Sequence, residues 1–128
     1  MNKKVKKIVE WALSGVLILI LLSSGILKLS GLPQAEEMAA SVGGTKNLLF
    51  LGVLEIIIVL LFVIPRTKVV GLFLMIAYFG GAMATHLITG EPILIPTLIQ
   101  TLVWLTAFFA IPELNDRLVK KNIATTKP

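Results

Sequence analysis

Four stretches of the chain, residues 11–27, 48–64, 69–90 and 92–112, run for 17 to 22 residues almost without a charge. Each approaches the ~20 apolar residues with which an α-helix crosses a hydrocarbon core ~30 Å thick. With their flanks they predict spans at about 9–30, 47–65, 68–90 and 92–112, followed by a cytoplasmic tail over 113–128. The polar punctuation between them is short. Pro65-Arg66-Thr67-Lys68 and Gly90-Glu91-Pro92 leave room only for tight turns, so consecutive spans must be antiparallel neighbours. The expected fold is an all-α membrane protein, a single antiparallel four-helix transmembrane bundle.

The one longer connector, residues 32–46, predicts an element of its own. Pro33 suits a first helical turn, where its missing N–H is no loss. Glu36 and Glu37 follow where the helix dipole favours acids. Ala35, Met38, Ala39 and Val42 recur at helical spacing before Gly43-Gly44 stops the pattern. This reads as a short amphipathic helix between spans 1 and 2, lying at the outer membrane interface as either a lid or a plain connector. Beyond Pro112, the order Glu113, Asp116, Lys120, Lys121 marks another short helix, with Leu114 and Leu118 for the membrane surface. Pro96, one turn into the fourth span, either kinks it or sits harmlessly in its first turns. Ser14, Gly15, Ser24 and Gly25 on the first span, and Ala77, Gly80, Gly81 and Ala84 on the third, predict close helix packing. Trp11 reads as an interfacial belt residue. Trp104, mid-span, is either lipid-facing or part of a pocket wall.

Composition agrees with this pattern. Apolar residues make up 56% of the 128 and charged residues 15%, against roughly 25% charged in a soluble domain. A cytosolic enzyme, a nucleic-acid-binding module and a disordered tail are excluded. The net charge of +5 is a matter of topology. Lys3, Lys4, Lys6, Lys7, Arg66, Lys68, Arg117, Lys120, Lys121 and Lys127 all fall on one side of an even-numbered bundle, and only Lys28 and Lys46 fall on the other. The positive-inside rule then places both termini in the cytoplasm, with the basic tails near anionic headgroups; nucleic acid is not an expected partner. The basic start and apolar core of the first span resemble a signal peptide, with Ser23-Ser24-Gly25 as a cleavage region. The core is too long for one, however, and three spans follow, so it reads as an uncleaved anchor. There is no cysteine, which excludes thiol nucleophiles, disulfides and Cys-ligated metals.

The chemistry lies in what interrupts the apolar stretches. Lys28 ends the first span, Glu55 is near the middle of the second, His86 near the end of the third, and Gln100 near the middle of the fourth. At 1.5 Å per residue, Glu55 and Gln100 lie on the order of 10–12 Å below the outer edge, and Lys28 and His86 on the order of 5 Å below it. All four therefore share the outer half, although the spans alternate in direction. An isolated intramembrane charge costs ~3 kcal/mol or more, so Glu55 must be protonated, paired or facing water. Lys28 is the one intramembrane cation that compensates it, and His86 the nearby titrating donor. The expectation is a common cavity open to the outside and lined by Lys28, Glu55 and His86. Plainer roles stand beside it: Lys28 snorkelling to headgroups, His86 as a hydrogen-bonded interfacial histidine, and Gln100 as glue between helices. One His and one Glu without a third convergent ligand make no metal site, and Ser23 and Ser24 have no triad partners.

At these residues the chain resembles the DoxX-like family of small four-span membrane proteins. The likeness rests on Ser24-Gly25-Ile26-Leu27-Lys28-Leu29-Ser30-Gly31 closing the first span, Pro33 opening a short helix, and Leu51-Gly52-Val53-Leu54-Glu55 within the second span. It continues with Pro65 ending that span and Gly81-Ala82-Met83-Ala84-Thr85-His86-Leu87 ending the third. The resemblance implies a multi-pass plasma-membrane protein of bacterial origin, with Lys28, Glu55 and His86 as the family's polar positions. Its best-known members are subunits of thiosulfate:quinone oxidoreductases, and others accompany membrane redox or detoxification proteins. A quinone-linked redox subunit is the first functional expectation. No flavin, haem or iron–sulfur motif is visible in the chain, so the expected cofactor is a bound quinone, with electrons from a membrane redox partner or from substrate. Without cysteine, sulfur chemistry through a protein thiol is not carried over. The alternatives are a binding or transport protein for a small lipophilic molecule, in which the cavity holds a ligand without electron transfer, and an accessory factor that scaffolds or assembles other membrane proteins. In the last, the small-residue face of the third span would be an interface. A homo-oligomer is compatible with all three.

Overall fold

The computed structural model describes residues 2–119 and is built from six helices: α1 (Lys3–Leu29), α2 (Pro33–Ser41), α3 (Thr45–Val63), α4 (Lys68–Thr89), α5 (Leu94–Ala110) and α6 (Pro112–Val119). Among the described residues there is no strand. Helices α1, α3 and α4 are each long and apolar enough to cross a membrane, and α5 with α6 makes a fourth candidate if that pair, bent by 96°, is taken as one span. Helix α1 begins earlier than its apolar core because helical geometry continues through the lysines, with Asn2 Oδ1 accepting from Lys4 N–H at its start. At 27 residues it is about 40 Å long. Lys120, Lys121 and Lys127, and the tail from residue 120 onward, lie outside the described residues.

Turn chemistry explains the boundaries. Pro33 opens α2, as its fixed φ predicts. Gly43 and Gly44 then take φ of 87° and 122°, which a residue with a Cβ reaches only at a cost, and reverse the chain into α3. Asn47 Nδ2 donates to Val42 O and stitches that corner. Thr67 Oγ1 donates to Leu61 O at 2.7 Å and satisfies a carbonyl at the end of α3. Pro96 falls in the first turn of α5, where no intrahelical donor is lost.

The helices contact one another in a ring: α1 packs on α3, α3 on α4, α4 on α5, and α5 on α1, while α2 rests on α3 and α1. The ring is solid at one end and hollow at the other. Leu17, Leu21, Ile58, Val59, Phe62, Leu72, Met75, Phe79, Val103 and Ala107 form the main core, and Leu114 of α6 packs against it. These positions gather toward the end that carries the start of α1, the α3–α4 turn and α6. Lys68 pairs there with Glu10, with its ammonium 5.4 Å from the Phe62 ring. A smaller cluster of Ala35, Ala39 and Leu48 seats α2 at the opposite end.

Close helix approach falls at glycines only partly anticipated. Gly25 and Gly52 face each other across α1 and α3: a Cβ on Gly25 would lie 3.2 Å from Gly52 O, and one on Gly52 would lie 3.0 Å from Lys28 Cβ. Gly71 is tighter still, with space for its missing Cβ ending 2.6 Å from the Phe62 backbone N. Gly15, Gly80 and Gly81 have nothing within 4 Å. Gly80 and Gly81 of the expected packing stripe on α4 thus meet no neighbouring helix, and Ala77, Gly80, Gly81 and Ala84 are all exposed. Helix α4 meets α3 near their shared turn instead. Trp11 is 70% exposed, as a belt residue should be, and Trp104 at 48% stands on the outer surface.

A candidate ligand cavity at the α2 end of the helices

Glu55 is placed by the Gly25–Gly52 crossing. Because two glycines let α1 and α3 approach backbone to backbone, Lys28, one turn after Gly25, is set against Glu55, nearly one turn after Gly52. Lys28 Nζ lies 2.9 Å from Glu55 Oε1. Ser24, one turn before Lys28 on the same face of α1, joins both: its Oγ accepts from Lys28 Nζ at 2.6 Å and donates to Glu55 Oε1 at 3.2 Å. From the opposite side Tyr78 OH on α4 donates to the same Oε1. One carboxylate oxygen thus receives three donors from two other helices. Glu55 is 2% exposed and Lys28 8%, so the pair is removed from solvent, where a charge survives only if its partner and hydrogen bonds offset the lost hydration. The other oxygen, Glu55 Oε2, is buried and has no hydrogen-bond partner.

This cluster lies on the wall of a cavity of about 670 Å³ in the hollow end of the ring. Ser24, Lys28, Glu55 and Tyr78 form its polar patch, and Met38, Leu48, Phe79, Ala82, Pro96 and Ile99 are among its apolar walls. Helix α2 contributes Glu37, Met38, Ser41 and Val42 and so covers one side. At the rim, Ser41 Oγ donates to Glu91 Oε1 at 3.0 Å and ties the end of α2 to the α4–α5 turn. Glu91 Oε2 is 3.7 Å from His86 Nδ1, and that nitrogen is 2.9 Å from Pro92 O. A carbonyl only accepts, so Nδ1 carries a proton.

Lys28, Glu55 and His86 all line this one cavity, with the first two in contact and His86 at its rim. Gln100 is elsewhere. Its Nε2 donates to Ile76 O on α4 at 3.1 Å, which is the helix-joining role, and it does not line the cavity. Sequence reasoning missed Tyr78, Ser41 and Glu91 as site residues, and did not join Ser24 to Lys28 and Glu55. A signal was present: Tyr78, Ala82, Thr85 and His86 recur at helical spacing on one face of α4, and Ser24 precedes Lys28 by one turn.

The DoxX-like family model matches residues 12–111. The chain belongs to the DoxX-like family. The match covers α1 from its third turn through α5, and so includes every cavity residue of this DoxX-like protein. Comparison with curated proteins and with solved structures gives no match.

Proposed function

We propose that this DoxX-like protein is a quinone-linked, redox-associated subunit of a bacterial plasma membrane, and that the cavity receives the ring of a lipid-soluble quinone or quinol. In this reading α1, α3, α4 and α5 are four antiparallel spans, α2 lies at the outer interface, α6 lies along the inner one, and both termini are cytoplasmic. Lys3, Lys4, Lys6 and Lys7 in the first turns of α1, together with Arg66, Lys68 and Arg117, support that orientation. The cavity then sits in the outer half of the bilayer.

The observation that carries the reading is the uneven satisfaction of Glu55. Oε1 is saturated by Lys28, Ser24 and Tyr78, while Oε2 is buried without a donor. A buried acceptor left unpaired costs about 1–3 kcal/mol, so the site favours a ligand that brings an O–H once a small turn of the Glu55 side chain bares Oε2 to the cavity it lines. A volume of about 670 Å³ is in the range of small-molecule sites, and the mainly apolar walls suit an aromatic ring. A quinone bound there would supply two-electron, two-proton chemistry. The chain's own part is to orient the ring and to hold a proton. Glu55 accepts from a ring hydroxyl, Lys28 steadies the carboxylate with its charge, and Lys28, with three N–H donors, also donates when the ring presents a carbonyl. His86 and Glu91 at the rim are placed to pass a proton toward the outer side. Electrons go to or come from a membrane partner.

A second reading, a binding or transport protein for a lipophilic hydroxyl compound, rests on the same unpaired oxygen without electron transfer. The two share a test of occupancy. Purified protein in lipid nanodiscs is titrated with a benzoquinol carrying a ten-carbon chain, beside the K28M/E55Q variant. Saturable binding weakened at least about tenfold in the variant supports the site; no saturable binding to the unaltered protein refutes it. Oxidation of the bound quinol on adding native membranes, absent for a non-redox phenol of the same shape, separates the first reading from the second.

A further inference from the structure

The cavity continues sideways out of the ring. A second hollow, about 470 Å³, adjoins it and shares Ser41, Val42, Leu51 and Thr85 with it. Its remaining walls are Gly43 in the α2–α3 turn and Asn47 and Phe50 on α3, where Phe50 is 67% exposed. The shared residues Leu51 on α3 and Thr85 on α4 therefore stand on either side of a gap between these two helices, roofed by the end of α2.

The gap has a cause in the packing. Helices α3 and α4 touch at the end near their shared turn, where Gly71 admits the Phe62 backbone. Toward the α2 end, the facing side of α4 carries Ala77, Gly81 and Thr85, which are too small to close the distance, and a Cβ on Gly81 would meet nothing within 4 Å. The small-residue face of α4 is thus one jamb of an opening. Phe50, Val53, Ile57 and Leu60 leave the outside of α3 apolar and exposed, so the opening gives onto the hydrocarbon of the bilayer and not onto water.

We propose that the α3–α4 gap is a lateral portal, through which a membrane-dissolved amphiphile with a hydroxyl-bearing head enters the cavity from the outer leaflet, its hydrocarbon tail remaining in the gap. This rests on the reading of the cavity as a ligand site and adds the route and the tail. Depth agrees: Thr85 is five residues before Gly90, and Asn47 and Phe50 are in the first two turns of α3, the level of the upper acyl chain in the outer leaflet. The head then reaches the polar patch at Glu55, about two turns deeper along α3.

The absence of cysteine from the chain makes the portal addressable. A single Phe50→Cys variant in nanodiscs, altered at a wall of the outer hollow that does not line the cavity, is alkylated with a bulky maleimide, and Gly80→Cys, on α4 but outside both hollows, serves as the control. Two probes are used: tetramethylbenzoquinol, which has no tail, and a benzoquinol with a ten-carbon chain bearing a diazirine. The expected result is that blocking Phe50→Cys weakens the tailed probe at least about tenfold and leaves the tail-free probe unchanged, while blocking Gly80→Cys changes neither. Photolysis in the unblocked protein should mark Asn47, Phe50 or Thr85. Retention of both probes after blocking, or tail labelling on α1 and α5 alone, overturns the portal while leaving the cavity reading intact. Failure of either probe to bind the unblocked protein overturns both.

Discussion

Lys28 Nζ and Glu55 Oε1 meet at 2.9 Å inside the ring of helices, 27 residues apart in sequence and on different helices. Both ends of the pair are shielded, so neither charge can be left alone cheaply. Removing one partner of a buried pair costs about 3–5 kcal/mol, whereas replacing both with neutral groups of similar volume is often close to neutral. K28M and E55Q alone should therefore lower thermal stability in detergent sharply, and K28M/E55Q should recover most of the loss. A double variant as unstable as the sum of the singles would show that the two side chains do not interact.

The pairing depends on how closely α1 and α3 approach. Gly52→Ala puts a methyl 3.0 Å from Lys28 Cβ and 3.1 Å from Gly25 O, an overpacking worth about 1–3 kcal/mol. Gly71→Ala, which meets backbone atoms of Phe62 at 2.6–2.7 Å, should cost more. Gly15→Ala faces open space and should be neutral or stabilising by up to ~1 kcal/mol. The ranking, read from melting temperatures, is the prediction.

Tyr78→Phe keeps the ring against Phe79, where the two stack edge to face at 5.4 Å, and removes one of the three donors to Glu55 Oε1. A hydrogen bond to a charged group contributes about 1.5–3 kcal/mol. The variant should remain folded, melt lower, and bind quinol more weakly. Unchanged binding would remove Tyr78 from the site.

Ser41→Ala frees the end of α2 from Glu91. Loss of one such bond, about 0.5–1.5 kcal/mol, should speed amide exchange across residues 34–41 by roughly two- to tenfold with little change in melting temperature. Exchange in α2 that does not respond would mean that Ala35, Ala39 and Leu48 alone hold it down.

Gln100→Leu tests the separation of packing from site. Interhelical polar contacts in membranes average about 0.6 kcal/mol, so a small loss of stability and unaltered ligand binding are expected. A loss of binding equal to that of K28M/E55Q would place Gln100 in the site.

Hydropathy made the four long apolar stretches readable, because a membrane-length helix must announce itself in composition. The same logic exposed Lys28, Glu55 and His86, since an ionisable residue in such a stretch is costly unless it is paired, neutral or near the headgroups. Tyr78 and Ser24 were hidden because a tyrosine and a serine are unremarkable in a span, and only the fold reveals that both point at Glu55. Depth alone left Gln100 open between site and glue: it is counted level with Glu55, but its amide is turned to the α4 backbone, the helix-joining role. Glycine counts misled. The packing contacts fall at Gly25, Gly52 and Gly71, while Gly80 and Gly81 face open space, and no local pattern separates the two kinds.

Mass spectrometry of the lipids that stay with the protein through purification from its native membrane tests the central claim most directly. The account predicts an isoprenoid quinone, or another tailed hydroxyl-bearing lipid, retained near one per chain and lost from K28M/E55Q. Co-purified lipid that matches the bulk membrane in both proteins would contradict it.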